Sequence, residues 1–202
     1  MTARMLAIGW LAALGAAPCL AQVTAEQLAA AEIRTEKVGD DLYVLFGLGG
    51  NIAVSVGTQG VLAVDTQFPE LVPRYLAAIR ELGGRDIDFA INTHWHYDHA
   101  DGNLMLGPTG TWIVAHANSR AMLLHDNVIN TVVRPPFPQK AYPSAALPVA
   151  TFTDRMQLNF NGEERRPFLM SGPSEPDDHV AHKLGAYILF WDYSPVTDAT
   201  TK

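Results

Sequence analysis

Between positions 94 and 99 the chain reads His94-Trp95-His96-Tyr97-Asp98-His99, three imidazoles and a carboxylate within six residues. Side chains of these types, clustered at ligand spacing, mark a metal or catalytic site more often than a polar surface loop. Imidazole nitrogen and carboxylate oxygen are the usual non-thiolate ligands of zinc, and iron or manganese accepts the same set. His94 and His96, two residues apart, can point to one side of an extended segment and hold one ion. Asp98 and His99 come after the turn and can face a second ion beside it. Thiolate ligation is not in play, because the only cysteine is Cys19.

Several elements must position this loop. The apolar run Ile87 to Ile91 reads as a buried strand ending at Asn92, so the loop leaves the carboxyl end of a strand, where ligands bind in α/β sheets. Upstream, Leu42 to Phe46, Asn51 to Val56 and Val61 to Val64 are short apolar runs broken at Gly47-Leu48-Gly49-Gly50 and Gly57-Thr58-Gln59-Gly60, the pattern of an antiparallel meander. The first glycine cluster lacks the spacing and following helix of a dinucleotide loop. Pro69 to Leu82 is an amphipathic helix carrying Leu71, Tyr75, Leu76, Ile79 and Leu82 on one stripe, closed by Gly83-Gly84. Strand, helix, strand in that order predicts a crossover with parallel pairing. Asp65, at the end of the third strand, either caps the next turn or orients a ligand histidine from beneath the loop.

Downstream, Asn103 to Leu106 predicts a short helix, Thr111 to Ala115 a buried strand with His116 at its end, and Ser119 to Leu124 a helix whose tail exposes His125. His116 reads as a structural histidine near the site. Val132 to Pro148, with Pro135, Pro136, Pro138, Pro143 and Pro148, excludes regular helix or central strand and predicts a long loop at the rim of the site. Met156 to Phe160 and Arg166 to Met170 predict a hairpin turned at Asn161-Gly162, and Tyr187 to Trp191 one more strand.

The segment His94-x-His96-x-Asp98-His99, followed by Ala100-Asp101-Gly102-Asn103, resembles the signature of the metallo-β-lactamase-fold hydrolases, and the likeness runs over about residues 35 to 170. It implies an α/β fold, an αββα sandwich of which mainly the N-terminal half is present. It also implies a zinc hydrolase, with one or two ions on His94, His96, Asp98 and His99, that lowers the pKa of a water. In that scheme Asp98 both binds metal and orients the attacking water. Because His99 and not cysteine follows Asp98, the site looks closer to glyoxalase II-like hydrolases and one group of class B lactamases. Lactam, lactone, ester and thioester substrates all fit. An iron-dependent oxidoreductase of the same fold, or a catalytically impaired metal-binding fragment, is the competing reading. The resemblance departs after Met170. The family's next ligand histidine falls in Gly-Pro-x-His, whereas this chain has Gly172-Pro173-Ser174-Glu175. Glu175, His179 and His182, with Asp177 and Asp178 beside them, are the alternatives for that ligand, and a truncated or a divergent C-terminus both account for the pattern.

Residues 1–21 hold one charge, Arg4, then an apolar stretch from Met5 to Ala17 and a small-residue end at Ala21, which reads as a secretory signal peptide cleaved before Gln22. The apolar run is too short for a stable membrane span. Residues 22–202 then form one domain, placed in the periplasm or outside the cell. Without Arg4 the chain has 13 basic and 21 acidic residues, a formal charge of −8. No basic patch is present, which excludes nucleic acid as partner and leaves a small-molecule substrate. An incomplete second half would leave a sheet face exposed, with self-association as the consequence.

Overall fold

In the computed structural model the described residues are 23–129 and 136–161, with the backbone of 168–171 and 188–190. The apolar runs cut by glycine become a meander of β2 (Leu42–Phe46), β3 (Ile52–Gly57) and β4 (Gly60–Val64), each antiparallel to the next. The amphipathic segment begins as a 3-10 turn at Pro69–Leu71 and continues as α2 (Val72–Glu81). It returns the chain to β5 (Phe89–Ile91), which lies parallel to β4 as the crossover predicts. β6 (Trp112–His116) adds in parallel on the far side of β5.

The large sheet has seven strands, and its two edges were not legible in the sequence pattern. β1 (Arg34–Lys37) pairs antiparallel with β2, and β9 (Ala150–Phe152) pairs parallel with β6. The sequence Arg-Thr-Glu-Lys has no apolar alternation, and charge on an edge strand blocks further pairing. Ahead of β1, α1 (Ala25–Ala30) is fixed by a capping box between Thr24 and Gln27, and the Arg74 guanidinium donates to the carbonyls of Leu28, Ala29 and Ala31.

Every residue of β4 is buried, because the sheet is covered on both faces. On one face Ala63, Ala90 and Ile113 meet Leu71, Tyr75 and Ile79 of the helix stripe. Full burial of side chains the size of Leu71, Ile79 and Ile113 stabilises by roughly 1.5–3 kcal/mol each. On the other face Leu62, Val64, Ile91, Val114 and Phe152 form a second cluster against Met156, Leu158 and Phe160. The expected bare inner face is therefore covered in part by β10 (Arg155–Leu158), which pairs antiparallel with β11 (Phe168–Ser171), itself paired with β12 (Ile188–Phe190).

Two expectations need correction. The proline-rich region is not all loop: β8 (Phe137–Gln139) forms a two-stranded ribbon with β7 (Asn127–Ile129), and Pro138 is tolerated because the ribbon belongs to no larger sheet. The expected β10–β11 hairpin forms, but its last pair is Leu158 with Phe168, so residues 159–167 connect the strands and the connection is longer than the Asn161-Gly162 dipeptide. Asn161 reaches instead to the β3–β4 hairpin. Its amide donates to Ser55 Oγ at 2.8 Å and to the Gly60 carbonyl at 3.1 Å, and its Oδ1 accepts from the Gln59 N–H at 3.2 Å. Asn161 holds a left-handed φ of 59°, which asparagine tolerates better than most residues. Asn161→Ala leaves the buried Ser55 hydroxyl without its donor and should cost about 2 kcal/mol of unfolding free energy, read by urea denaturation.

Candidate metal centre

The histidine loop leaves β5 at Asn92 and turns into α3 (Tyr97–Ala100), with α4 (Asn103–Leu106) following. Burial alternates along it: Trp95, Tyr97 and Ala100 are buried, while His94, His96, Asp98 and His99 are half-buried and face outward. Both ends of the loop are tied at its base. The side chains of Asn92 and Asn103 exchange hydrogen bonds at 3.2 and 2.7 Å, and Thr66 Oγ1 lies 3.1 Å from both Asn103 Oδ1 and the His99 carbonyl, two acceptors that share its one proton. All three residues are buried, so the amide pair is a satisfied polar lock between the strand before the loop and the helix after it.

Asp65 lies beneath the loop and decides between its two expected uses. Its carboxylate accepts from the Thr93 N–H at 2.8 Å, from the Thr93 hydroxyl at 2.9 Å and from His99 Nδ1 at 2.8 Å. Thr93 Oγ1 is also 3.1 Å from His94 Nδ1. A hydroxyl carries one proton, and the carboxylate takes it, so Thr93 must accept from His94 Nδ1–H. One carboxylate thus sets the tautomer of two histidines, directly for His99 and through Thr93 for His94, and in each ring Nε2 is left as the free nitrogen.

The rings are adjacent. His94 stands 4.7 Å from His96 and 4.0 Å from His99 between centroids. His99 Nε2 lies 3.9 Å from Asp98 Oδ2. Burial, then the neighbouring His99 and His96, pushes the His94 pKa down to about 3, so it is a neutral imidazole at any ordinary pH. Burial also lowers His96, against the pull of Asp98. Burial acts the same way on His99, but the hydrogen bond and charge of Asp65 and the charge of Asp98 outweigh it and raise its pKa. Among the described residues, no three His, Cys, Asp or Glu side chains close around a common point. The loop offers donors side by side and does not by itself form a cage. Glu175, His179 and His182, the alternatives for the opposite ligand, lie outside the described residues.

The proline-rich region packs behind the loop as a buttress. Gln139 Nε2 donates to the Trp95 carbonyl at 2.7 Å, Phe137 stacks on Tyr97 with centroids 3.9 Å apart, and the Tyr142 hydroxyl donates to Asp101. Burial raises Asp101 to about 6, opposed by that hydrogen bond and reinforced by Glu70 and Asp98. His116 is structural, as expected: Nδ1 accepts from the Asn118 N–H at 3.1 Å and Nε2 faces the Thr153 carbonyl at 2.7 Å, so both ring nitrogens are engaged. Thr93 and Gln139 were not singled out from sequence. Thr93 abuts the motif, which is a usable signal, whereas nothing local marks Gln139.

Residues 45–185 match the family model of the metallo-beta-lactamase superfamily. The chain belongs to that superfamily. Its fold is shared with a beta-lactamase from Chitinophaga pinensis (TM-score 0.60, 16% identity, 81% of this chain and 58% of that one). It is shared also with a subclass B3 metallo-beta-lactamase of Bradyrhizobium japonicum (TM-score 0.55, 18% identity, 74% and 55%). A class B3 di-zinc metallo-beta-lactamase from an Alaskan soil metagenome is similar to the same degree (TM-score 0.56, 14% identity, 75% and 56%). The chain spans a little over half the length of these structures. No curated protein sequence matches it. Membership supports a metallo-hydrolase, and the likeness to these structures establishes the mixed α/β fold with its large sheet.

Because Asp65 holds Thr93 and His99 together, Asp65→Ala should lower unfolding free energy by about 3 kcal/mol, the cost of stripping a buried charged acceptor from its donors. Asp65→Asn should cost less, since it retains an acceptor oxygen for the Thr93 N–H. Chemical denaturation of the two variants beside the parent protein measures the difference.

Proposed function

We propose that this chain is an exported zinc-dependent hydrolase of small molecules, with His94, His96, Asp98 and His99 as metal ligands. The observation that carries this reading is the Asp65–Thr93–His94 and Asp65–His99 hydrogen-bond set, which leaves Nε2 of two adjacent rings free. A carboxylate that orients ligand imidazoles in this way is the usual support of a zinc site. Neutral His94 presents a lone pair without first losing a proton. The donor chemistry therefore fits zinc, with no soft ligand that would favour another metal.

When bound, zinc would lower the pKa of a water and polarise the scissile carbonyl. The chain's own contribution is orientation and proton handling. Asp98 is half-buried and adjacent to His99 Nε2, so it is the carboxylate of the loop placed to orient an attacking water and take its proton. Asp65 is engaged by three donors and holds the imidazoles fixed while this happens. The substrate class we propose is a small acyl compound: a lactam, lactone, ester or thioester. Relatives of this fold named as beta-lactamases make the lactam the first to try, and the acidic balance of the chain disfavours polyanionic substrates. Export rests on residues 1–21 of the sequence, and among the described residues no helix is long and apolar enough to cross a membrane.

Protein purified without added metal and then titrated with zinc should bind at least one equivalent and hydrolyse a member of a lactam, lactone and thioester panel. The His94→Ala/His96→Ala double variant should lose at least one equivalent while keeping its far-ultraviolet circular dichroism, because the loop lies beyond the carboxyl end of β5 and both side chains are only half-buried. Unchanged metal content in the double variant would contradict the ligand assignment, and stoichiometric iron with little zinc would contradict the choice of metal.

A further inference from the structure

Gly50, in the turn between β2 and β3, is placed against a single side chain. A Cβ built there would meet His99 Cε1 at 3.1 Å, Nδ1 at 3.5 Å and Nε2 at 3.6 Å, and those ring atoms are its three nearest neighbours. The backbone does not demand glycine at this position, for the left-handed φ of the turn belongs to Gly49, at 90°. What glycine supplies at 50 is close approach: bare backbone lies over the imidazole where any side chain would push it aside.

That approach is held from behind. The Gly50 carbonyl accepts a hydrogen bond from Gln67 Nε2. Gln67 is 1% exposed, has a φ of 49° and buries Oε1 with no partner among the described residues. A residue kept in an unfavourable backbone region with an unsatisfied polar atom is retained where the surroundings require it, and such strain gathers at functional sites. The residues before it grip the same histidine. Asp65, with a φ of 66°, binds His99 Nδ1, and the Thr66 N–H and hydroxyl bind the His99 carbonyl at 2.8 and 3.1 Å. His94 lies 4.0 Å from the His99 ring between centroids.

We propose that Gly50 and Gln67 are positioning residues, a backbone wall and its anchor, that fix the plane of the His99 ring and leave only its Nε2 edge, toward Asp98, open to a metal. The assignment rests on the reading of His99 as a ligand. The strained turn 65–67 then has one purpose in all three of its residues: Asp65 sets which nitrogen is free, Thr66 sets where the backbone sits, and Gln67 sets the wall.

The test uses the whole chain with zinc alone as probe, comparing Gly50→Ala, Gln67→Asn, their double variant and a control, Gly83→Ala. Asparagine is chosen at 67 because it tolerates the left-handed backbone but is too short to reach Gly50. Gly83, at the end of α2, has a φ of 87° and open space around its Cβ position, so alanine there strains the fold without touching the site. Gly50→Ala should weaken zinc binding about tenfold or more, the scale seen when the support of a ligand is disturbed. It should also shift the His99 ring resonances of the metal-free protein, leave those of His116 in place and barely move the thermal midpoint. Gln67→Asn should shift the same His99 resonances, and the double variant should be no worse than the stronger single one. Gly83→Ala should lower the midpoint and leave zinc affinity and His99 unchanged. Unshifted His99 resonances in Gly50→Ala, or a loss of midpoint with zinc affinity kept within about twofold of the parent, would overturn the proposal. If the parent chain binds no zinc, the ligand reading fails, and the metal-free His99 resonances still decide the wall.

Discussion

The structure around the histidine loop depends on one buried carboxylate. Asp65 sits at the end of a fully buried strand with 7% of its side chain exposed, where an unpaired charge would be costly. It is made tolerable by three donors, all from the loop: the Thr93 amide, the Thr93 hydroxyl and His99 Nδ1. The loop in turn has its shape because those donors must converge there. Remove the carboxylate and the proton count on Thr93 no longer fixes His94, so two of the three imidazoles lose their orientation together.

The rest of the fold delivers that carboxylate. Parallel pairing of β4 with β5 puts the end of one strand beside the start of the loop that leaves the other, with Val64 opposite Ile91. The helix between them covers the sheet with Leu71, Tyr75 and Ile79, and the Tyr75 hydroxyl donates to the Thr66 carbonyl in the strained turn. The Asn92–Asn103 lock and the buttress of Phe137, Gln139 and Tyr142 hold the loop against the same core, in which Phe137 and Tyr142 pack with Leu71, Tyr75 and Ile79. Rigid elements around the loop are what a site needs if its ligands are to be set before a metal binds.

Much of this was legible in the sequence where the signal is local. The helix, the meander strands and the histidine cluster were found because hydrophobic period and residue type are written in consecutive positions. β1 was not, since Arg34 to Lys37 carries no apolar alternation, and β9 was not, since Ala-Thr-Phe is too short to show one. Asp65 could be narrowed only to two roles, because choosing between them needs its distance to Thr93 and His99. Gly50 reads only as part of a glycine break, and nothing local marks Gln67, for the same reason: their relation to His99 exists only once β2, β3 and the loop are brought together. The Asn161-Gly162 dipeptide looked like a hairpin turn by composition, yet its asparagine is used across the sheet at Ser55.

The claim at the centre of this account is that His94 and His99 present Nε2 because Asp65 and Thr93 occupy Nδ1. Long-range nitrogen–proton correlation spectra of the imidazoles, recorded at a pH where His99 is neutral and repeated with one equivalent of zinc, read this directly. Both rings should be Nδ1–H tautomers in the metal-free protein, and zinc should shift their Nε2 resonances while Nδ1 stays protonated. Rings found in the Nε2–H form, or Nε2 resonances that do not move with zinc, would contradict it.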